Sequence, residues 1–485
     1  MLFSSMTFIF VFLPIVCTVY LLARKELHNY ILLIASIIFY AWGEPRYLII
    51  MLLTILVNYV GANCISLSKN TFHRKLCLTA TIIADLSFLF YFKYFNFVTE
   101  NINAVFNSDF TFIHVVLPIG ISFYTFQALS YVIDVYRGEV EVQRDIYKLA
   151  LYICLFPQLV AGPIVKYHDV AEQISDREVT FDKVAYGVKR FIIGLSKKML
   201  IANTLGEVAD KVFNQPIEQI DCMISWIGAL SYTLQIYYDF SGYSDMAIGL
   251  GAIFGFKFLE NFNYPFISKS ISEYWRRWHI SLSSWFRDYM FFPISRALSL
   301  SGFSEGLSGK IGRKNTNICL TFLALFVVWY ATGLWHGAAW TFVIWGLYNG
   351  FFIFIEMVTK WNRERESLWV KFAQHLYTVM VFIISFVIFR SDTMTYAWNY
   401  LKRMFGLIGE HTYVYDYAYY INNIVVIAFV VGVMCATPLF HKMLNVSDEK
   451  VKTRALINIW LLTLFVVSSM AIAATTYNPF IYFRF

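Results

Sequence analysis

Long, almost uncharged runs of apolar residues are the feature that most constrains the fold of this chain. A helix needs roughly 20 apolar residues to cross the hydrocarbon core of a bilayer. Candidate spans lie at residues 5–23, 29–43, 47–67, 76–97, 110–133, 191–213, 222–238, 316–335, 338–358, 372–390, 421–440 and 456–476. Because some of these are expected to be half-helices, the sequence predicts an all-α polytopic membrane protein with about eleven true crossings.

The composition excludes a soluble globular protein. Hydrophobic residues make up 58% of the 485 residues and charged residues only 15%, whereas about 25% charge is typical of soluble domains. Aromatic residues reach 19%, and Trp and Tyr suit the two membrane–water interfaces. The bilayer is therefore the first partner that the sequence predicts.

Charge and cysteine usage exclude two further classes. The net charge of +7 is not concentrated in any polar domain, as a nucleic-acid-binding protein would require. The seven cysteines are scattered and form no CxxC pair, and no two histidines lie at metal-ligand spacing. We therefore predict neither a nucleic-acid partner nor a metal site.

The short loops predict an orientation. Basic residues follow the first span at 24–25 and the third span at 69–75, whereas the connections at 44–46 and 98–109 are poor in Lys and Arg. Lys and Arg are retained on the cytoplasmic side. The N-terminus is therefore predicted to be extracytoplasmic, with the basic stretch 257–314 in the cytoplasm.

Two segments break the regular pattern of spans. Residues 149–165 are uncharged but contain two prolines, which favours a re-entrant segment packed in protein. Residues 222–256 are apolar except for Asp239 and Asp245, which flank Ser-Gly-Tyr-Ser. This pattern predicts a broken helix with Asp245 capping its second half, or a polar lining of a cavity.

A single histidine stands out in the most apolar part of the chain. Residues 315–355 contain no Asp, Glu, Lys or Arg, but include His336 in Gly-Leu-Trp-His-Gly-Ala-Ala-Trp. On one helix, Trp329, Gly333, His336 and Trp340 would share a stripe. An imidazole in the membrane normally faces protein or a water-filled cavity. It is a hydrogen-bonded structural residue, an interfacial residue at a hairpin bend, or a general base, since His exchanges protons near neutrality.

A second histidine lies in a Trp- and Arg-rich segment at 273–288. One helical stripe comprises Trp275, Trp278, Leu282 and Trp285. The basic residues elsewhere on the helical wheel are Arg276, Arg277 and Arg287. The pattern predicts a helix lying in the cytoplasmic interface, with His279 at the border of the stripe. Anchoring to lipid headgroups and a functional role for His279 are both open.

Several motifs together resemble one known family, the membrane-bound O-acyltransferases. The matching segments are 117–127, 238–247, 263–266, 275–289, 333–340 and the ending 478–485. They resemble the bacterial branch that contains the alginate O-acetylation membrane protein and the D-alanyl lipoteichoic acid transfer protein. The likeness spans nearly the whole chain. One departure is Phe-Phe-Pro-Ile-Ser-Arg at 291–296, where alginate-type proteins usually carry Pro-Leu-Gly-Gly.

The resemblance implies a single membrane domain built around a central tunnel, with re-entrant and interfacial helices. Peripheral spans are expected at 1–110, a catalytic core at 110–360 and C-terminal spans at 361–485. It implies that His336 is the catalytic histidine and that His279 is a second, more variable polar position. Candidate tunnel-lining residues are Trp335, Trp340, Asp239 and Asp245.

The chemistry implied is acyl transfer from a cytoplasmic thioester, acetyl-coenzyme A, to a hydroxyl acceptor on the outer side. Acetyl-coenzyme A would be a co-substrate, with no resident cofactor. Arg276, Arg277 and Arg287 are candidates for binding the coenzyme phosphates, although membrane anchoring explains the same charges. The resemblance also implies an extracytoplasmic partner acetyltransferase that completes transfer to a polysaccharide or peptidoglycan.

Two alternatives stand beside O-acetylation. Within the same family, the chain would transfer D-alanine from a carrier protein to teichoic acid. In a different class, it would be a transporter or flippase for a glycan precursor. Transporters often show inverted repeats, with paired charges near the membrane midplane, and the sequence shows neither pattern.

Overall fold

A computed structural model of the chain describes residues 1–108, 115–160, 162–363, 365–409, 412, 415–439, 451–475 and 477–479, with the backbone alone at 451–454. These residues form helices and connecting turns, with no strand among them. The predicted all-α class is confirmed. The beginning of predicted span 110–133, the end of span 421–440 and residues 480–485 of the C-terminal motif lie outside the described residues.

Within the described part of the chain, six helices are long and apolar enough to cross a membrane. They are Pro45–Leu67, Thr71–Phe106, Arg313–His336, Trp340–Thr359, Leu368–Arg390 and Ala455–Ala474. Two shorter apolar helices, Phe8–Leu22 and Asn423–Cys435, coincide with other predicted spans. A multi-pass membrane protein is therefore supported, whereas the count of eleven crossings is not confirmed.

The chain divides into two compact units. The first comprises residues 1–195, 243–260 and 465–476, and the second comprises 196–242, 261–464 and 477–485. The predicted division at residues 110 and 360 stays a prediction.

The first unit is built mainly from the N-terminal helices. These are α1 (Leu13–Leu22), α2 (His28–Gly43), α3 (Leu48–Leu67), α4 (Thr71–Leu89), α5 (Phe95–Phe106), α6 (Ile121–Arg137), α7 (Ile146–Cys154), α8 (Phe156–Leu159), α9 (Tyr167–Ser175) and α10 (Phe181–Ser196). Helices α3, α4 and α6 pack on one another, and α2 packs on α7. Residues 149–165, apart from position 161, are almost entirely buried, so the prediction that this segment packs in protein is confirmed.

A charged cluster lies at the beginning of α9. The ring nitrogens of His168 lie 3.1 Å from a carboxylate oxygen of Asp134 and 3.3 Å from one of Asp169. Hydrogen bonds to Asp134 and then to Asp169 raise the pKa of His168 to about 10. This imidazole is therefore a cation at neutral pH, held between two carboxylates.

The second unit contains the remaining helices. These are α11 (Asn203–Phe213), α12 (Cys222–Ile253), α13 (Ile271–Arg277), α14 (Ile280–Phe286), α15 (Phe292–Ser299), α16 (Gly302–Ile311), α17 (Arg313–His336), α18 (Trp340–Thr359), α19 (Leu368–Arg390), α20 (Met394–Met404), α21 (Tyr417–Tyr420), α22 (Asn423–Cys435) and α23 (Val451–Ala474). The last part of α12 and of α23 belongs to the first unit. The departure at 291–296 forms the beginning of α15, with proline in its first turn.

Helix α12 is continuous, so the predicted break between Asp239 and Asp245 is wrong. In the second unit, Asp239 forms a buried ion pair with Lys198. In the first unit, Asp245 pairs with Arg190 at 2.6 Å, and Arg190 also contacts Glu260 at 2.6 Å. Because cations on neighbouring segments satisfy both carboxylates, neither has to cap a helix end.

Helices α17 and α18 form a tightly packed hairpin. A Cβ atom at Gly333 would lie 2.4 Å from the Phe342 carbonyl oxygen, and one at Gly346 would lie 2.3 Å from the Trp329 carbonyl oxygen. Both contacts are with main chain, which cannot move aside easily. Glycine at both positions therefore lets α17 and α18 approach each other closely.

Candidate active site

The segment that carries His279 is not one amphipathic helix. It forms α13 and α14, which are separated at Trp278 and His279, and His279 has a φ of +43°. The four residues of the predicted stripe, Trp275, Trp278, Leu282 and Trp285, are all buried. The prediction of one amphipathic helix with its stripe against lipid is therefore wrong, because the chain breaks at His279 and the stripe packs in protein.

The break buries His279 completely. Its Nδ1 lies 3.2 Å from the side-chain oxygen of Asn261, and the Phe240 ring contacts it edge-on with ring centres 4.5 Å apart. Burial, and then the nearby His336, lower the pKa of His279 well below its ordinary value. The imidazole is therefore neutral at physiological pH.

His336 is the last residue of α17 and is also buried. Its ring centre lies 4.7 Å from that of Trp345 and 5.4 Å from that of Phe389, and both contacts are edge-on. Phe389 belongs to α19, so three successive long helices form the surroundings of His336. The prediction that this histidine faces protein is confirmed.

The two histidines lie side by side. Their ring centres are 6.5 Å apart, and the Trp335 ring lies 5.9 Å from His279 and 5.0 Å from His336. Two buried imidazoles at this separation can exchange protons with a reacting group placed between them. Aromatic walls keep bulk water away from such a group, which strengthens electrostatic interactions within the site.

A buried carboxylate fixes the beginning of α13. The oxygens of Glu356, near the end of α18, accept hydrogen bonds from the main-chain nitrogens of Ile271 (2.5 Å) and Ser272 (2.9 Å). The Ser272 hydroxyl donates to the same carboxylate at 2.7 Å. Negative charge is favourable at a helix N-terminus, so Glu356 fastens α13 to the hairpin that carries His336.

We expect Glu356→Ala to destabilise the protein more than Glu356→Gln. Alanine would leave two main-chain donors without an acceptor, at about 1–3 kcal/mol for each buried donor, whereas glutamine keeps one acceptor oxygen. Unfolding in mixed micelles by titration with SDS measures the difference. Glu366→Ala, at an exposed position, is the control, and equal stability of Glu356→Ala and the unaltered protein would contradict this anchoring.

The predicted donor-binding arginines lie outside the buried cluster. Arg277 pairs with Glu273 at 2.9 Å and Arg287 with Asp288 at 2.8 Å. Arg276 is exposed, and no ion pair joins it to a carboxylate in the described ranges. Their role in donor binding stays a prediction.

The predicted tunnel-lining residues differ in placement. Trp335 lies against both histidines, as described above. Trp340 begins α18 and is 54% exposed, so it does not share a helical stripe with His336 as predicted, because α17 ends before it. Asp239 and Asp245 are both engaged with cations. Whether these residues line a tunnel stays a prediction.

Comparison with known proteins places the chain in a family. Residues 141–398, which include both histidines, match the model of the membrane-bound O-acyltransferase (MBOAT) family. The matched region is more than half of the chain. This chain is a member of the MBOAT family. It is therefore a multi-pass membrane protein and an acyltransferase that acts on hydroxyl groups.

Individual MBOAT relatives cover most of the chain. The probable alginate O-acetylase of Pseudomonas putida is 37% identical over 513 residues, covering 100% of both chains. The peptidoglycan O-acetyltransferase of Helicobacter pylori is 31% identical, covering 84% of this chain and 80% of its own. The teichoic acid D-alanyltransferase of Bacillus subtilis is 29% identical, covering 55% of this chain and 65% of its own.

Reasoning from the sequence found both histidines of the MBOAT chain but missed the groups that hold them. Asn261, Glu356 and Phe389 were not singled out. Glu356 is the first charged residue after the uncharged run, and a carboxylate at that depth was a usable signal. Asn261 and Phe389 are distant in sequence from the histidines, and nothing local marks them.

Proposed function

We propose that this protein is a membrane O-acetyltransferase that moves an acetyl group from cytoplasmic acetyl-coenzyme A toward a hydroxyl of an extracytoplasmic polysaccharide or peptidoglycan. The observation that carries the proposal is the pair of adjacent buried imidazoles, His279 and His336, in the region that matches the family model. The O-acetylating relatives, which match over most of the chain, favour acetyl over D-alanyl transfer.

His336 acts as the general base in this mechanism. It takes the proton of the attacking hydroxyl while the hydroxyl oxygen forms a bond to the thioester carbon. It then returns the proton to the departing thiolate, so the products are an ester and a free thiol. General acid–base catalysis contributes about 10²–10⁴-fold. The remainder comes from positioning the two substrates in line.

The supporting groups have separate roles. His279, neutral because of its burial, accepts a hydrogen bond at the reacting centre. Trp335, Trp345 and Phe389 exclude water from it. Arg276, Arg277 and Arg287 belong to the segment that the basic loops place in the cytoplasm, where they meet coenzyme phosphates through charge-assisted bonds. Asp239 and Trp340 line the path of the substrates in this proposal.

The topology gives the reaction a direction. The distribution of Lys and Arg in the loops favours an N-terminus outside the cytoplasmic membrane of a bacterium and residues 257–314 on its cytoplasmic side. The donor thioester then enters from the cytoplasm, and the acetyl group leaves on the outer side. An extracytoplasmic partner acetyltransferase completes the transfer to the glycan.

The test is deletion of the gene in its own bacterium, followed by measurement of base-labile acetate and D-alanine on each purified surface glycan. We expect one polysaccharide or the peptidoglycan to lose its acetyl esters and the plasmid-borne gene to restore them. Loss of D-alanine esters with acetyl esters intact would favour the teichoic acid alternative, which the Bacillus relative represents. No change in either ester would overturn the proposal.

A further inference from the structure

We propose that Asn261 is the positioning residue that sets the tautomer of His279, with the proton on Nδ1 and the lone pair on Nε2. The role of this tautomer in acyl transfer rests on the proposed function, whereas the tautomer itself does not. It identifies His279 as a hydrogen-bond acceptor for a neutral donor, the hydroxyl group of the acceptor substrate.

The orientation of the Asn261 amide is fixed by a main-chain donor. Its side-chain oxygen lies 3.1 Å from the main-chain nitrogen of Ser281 and 2.9 Å from the Ser281 hydroxyl. A main-chain N–H only donates, so the amide atom facing it has to be the oxygen. With the amide turned over, two N–H groups would face each other in a buried site.

The tautomer of His279 follows from that orientation. The same Asn261 oxygen lies 3.2 Å from His279 Nδ1, and an amide oxygen only accepts. Nδ1 therefore carries the proton and donates it. Because burial keeps this imidazole neutral, it has a single N–H group, and Nε2 is left with the lone pair. No hydrogen-bond partner of Nε2 lies within the described part of the chain.

Asn261 also holds the backbone around His279. The Asn261 carbonyl oxygen accepts from the main-chain nitrogen of Ile280 at 3.0 Å. His279 itself has a left-handed φ of +43°, a conformation that a residue other than Gly keeps only when its surroundings hold it. The main chain and the side chain of Asn261 therefore clamp the two residues that follow His279, and this fixes where its ring points.

The consequence concerns what the site can bind. An unprotonated Nε2 accepts a hydrogen bond from an O–H group and cannot donate one to an oxyanion. Its neighbours, Phe240, Trp335 and His336, provide a buried wall. The Asn261–His279 pair therefore orients the hydroxyl acceptor, and stabilisation of a developing oxyanion has to come from other groups.

The direct test is magnetic-resonance measurement of the imidazole nitrogens in protein labelled with ¹⁵N-histidine. His279→Gln identifies the signal. We expect a protonated Nδ1 and an unprotonated Nε2 near pH 7 in the unaltered protein. The same result is expected in His336→Ala, because the measurement does not require an active enzyme. A protonated Nε2 would overturn the proposal, whether or not the protein transfers acetyl groups.

A second test uses the pH profile of acetyl transfer in Asn261→Asp. A carboxylate keeps the acceptor oxygen but favours the imidazolium, so the acid limb should move to higher pH by about one to three units. Asn362→Asp, at an exposed position, should leave the profile unchanged. Asn261→Leu should lose activity at every pH. An unmoved acid limb in folded Asn261→Asp would refute the positioning role.

Discussion

Replacement of His336 by alanine is expected to abolish acetyl transfer while the protein stays folded in the membrane. The imidazole is the proposed base, and loss of a general acid–base catalyst lowers rates by about 10²–10⁴-fold. Alanine removes a ring that contacts Trp345 and Phe389, so the folded state needs checking by size-exclusion chromatography. Activity is measured as base-labile acetate on the envelope glycan, or as free thiol released from acetyl-coenzyme A by purified protein.

The matched control is His73→Ala, because His73 is exposed on α4 and has no role in the proposed mechanism. It should retain full activity. Retained acetylation in His336→Ala, with protein levels equal to those of the control, would remove His336 as the base. Loss of activity accompanied by loss of the monodisperse protein would instead indicate that the ring is needed for packing.

Breaking the Lys198–Asp239 pair is expected to give the largest loss of stability. Both side chains are buried, and the Lys198 ammonium also donates to the Pro479 carbonyl oxygen at 2.7 Å. Removing one partner of a buried pair leaves an uncompensated charge, at about 3–5 kcal/mol. Asp239→Ala should therefore unfold at much lower SDS concentration than the unaltered protein.

The double variant Lys198→Met with Asp239→Leu separates charge from packing. Hydrophobic replacement of a whole buried pair is often neutral or stabilising, so the double variant should recover most of the stability lost in Asp239→Ala. Arg287→Ala, at an exposed pair, should change stability by less than about 1 kcal/mol. A double variant as unstable as Asp239→Ala would show that the side chains matter through shape or through the Pro479 contact.

Membrane character was predictable because it depends on local composition. An apolar run such as 315–355 is unfavourable in water regardless of the rest of the chain. The sequence therefore located α17 and α18 to within a few residues. The same reasoning singled out His336, since one ionisable group in such a run needs a protein environment. The number of crossings was less predictable, because several apolar runs form short or interrupted helices.

Periodicity failed where distant contacts override it. The regular spacing of Trp275, Trp278, Leu282 and Trp285 predicted one amphipathic helix, but the chain breaks at His279, which Asn261 holds from 18 residues away. Two aspartates in an apolar segment predicted a break in α12. Lys198 and Arg190, on segments that precede it in the chain, instead satisfy them inside a continuous helix.

By itself, the sequence determined that the chain is a helical membrane protein and that His336 faces protein or a water-filled cavity, because both follow from the free energy of transferring local groups out of water. Only the tertiary structure decided that His279 lies beside His336, and which atoms hold each ring. Those contacts bring Phe240, Asn261 and Phe389 to the two histidines, and no local pattern specifies pairings across such separations.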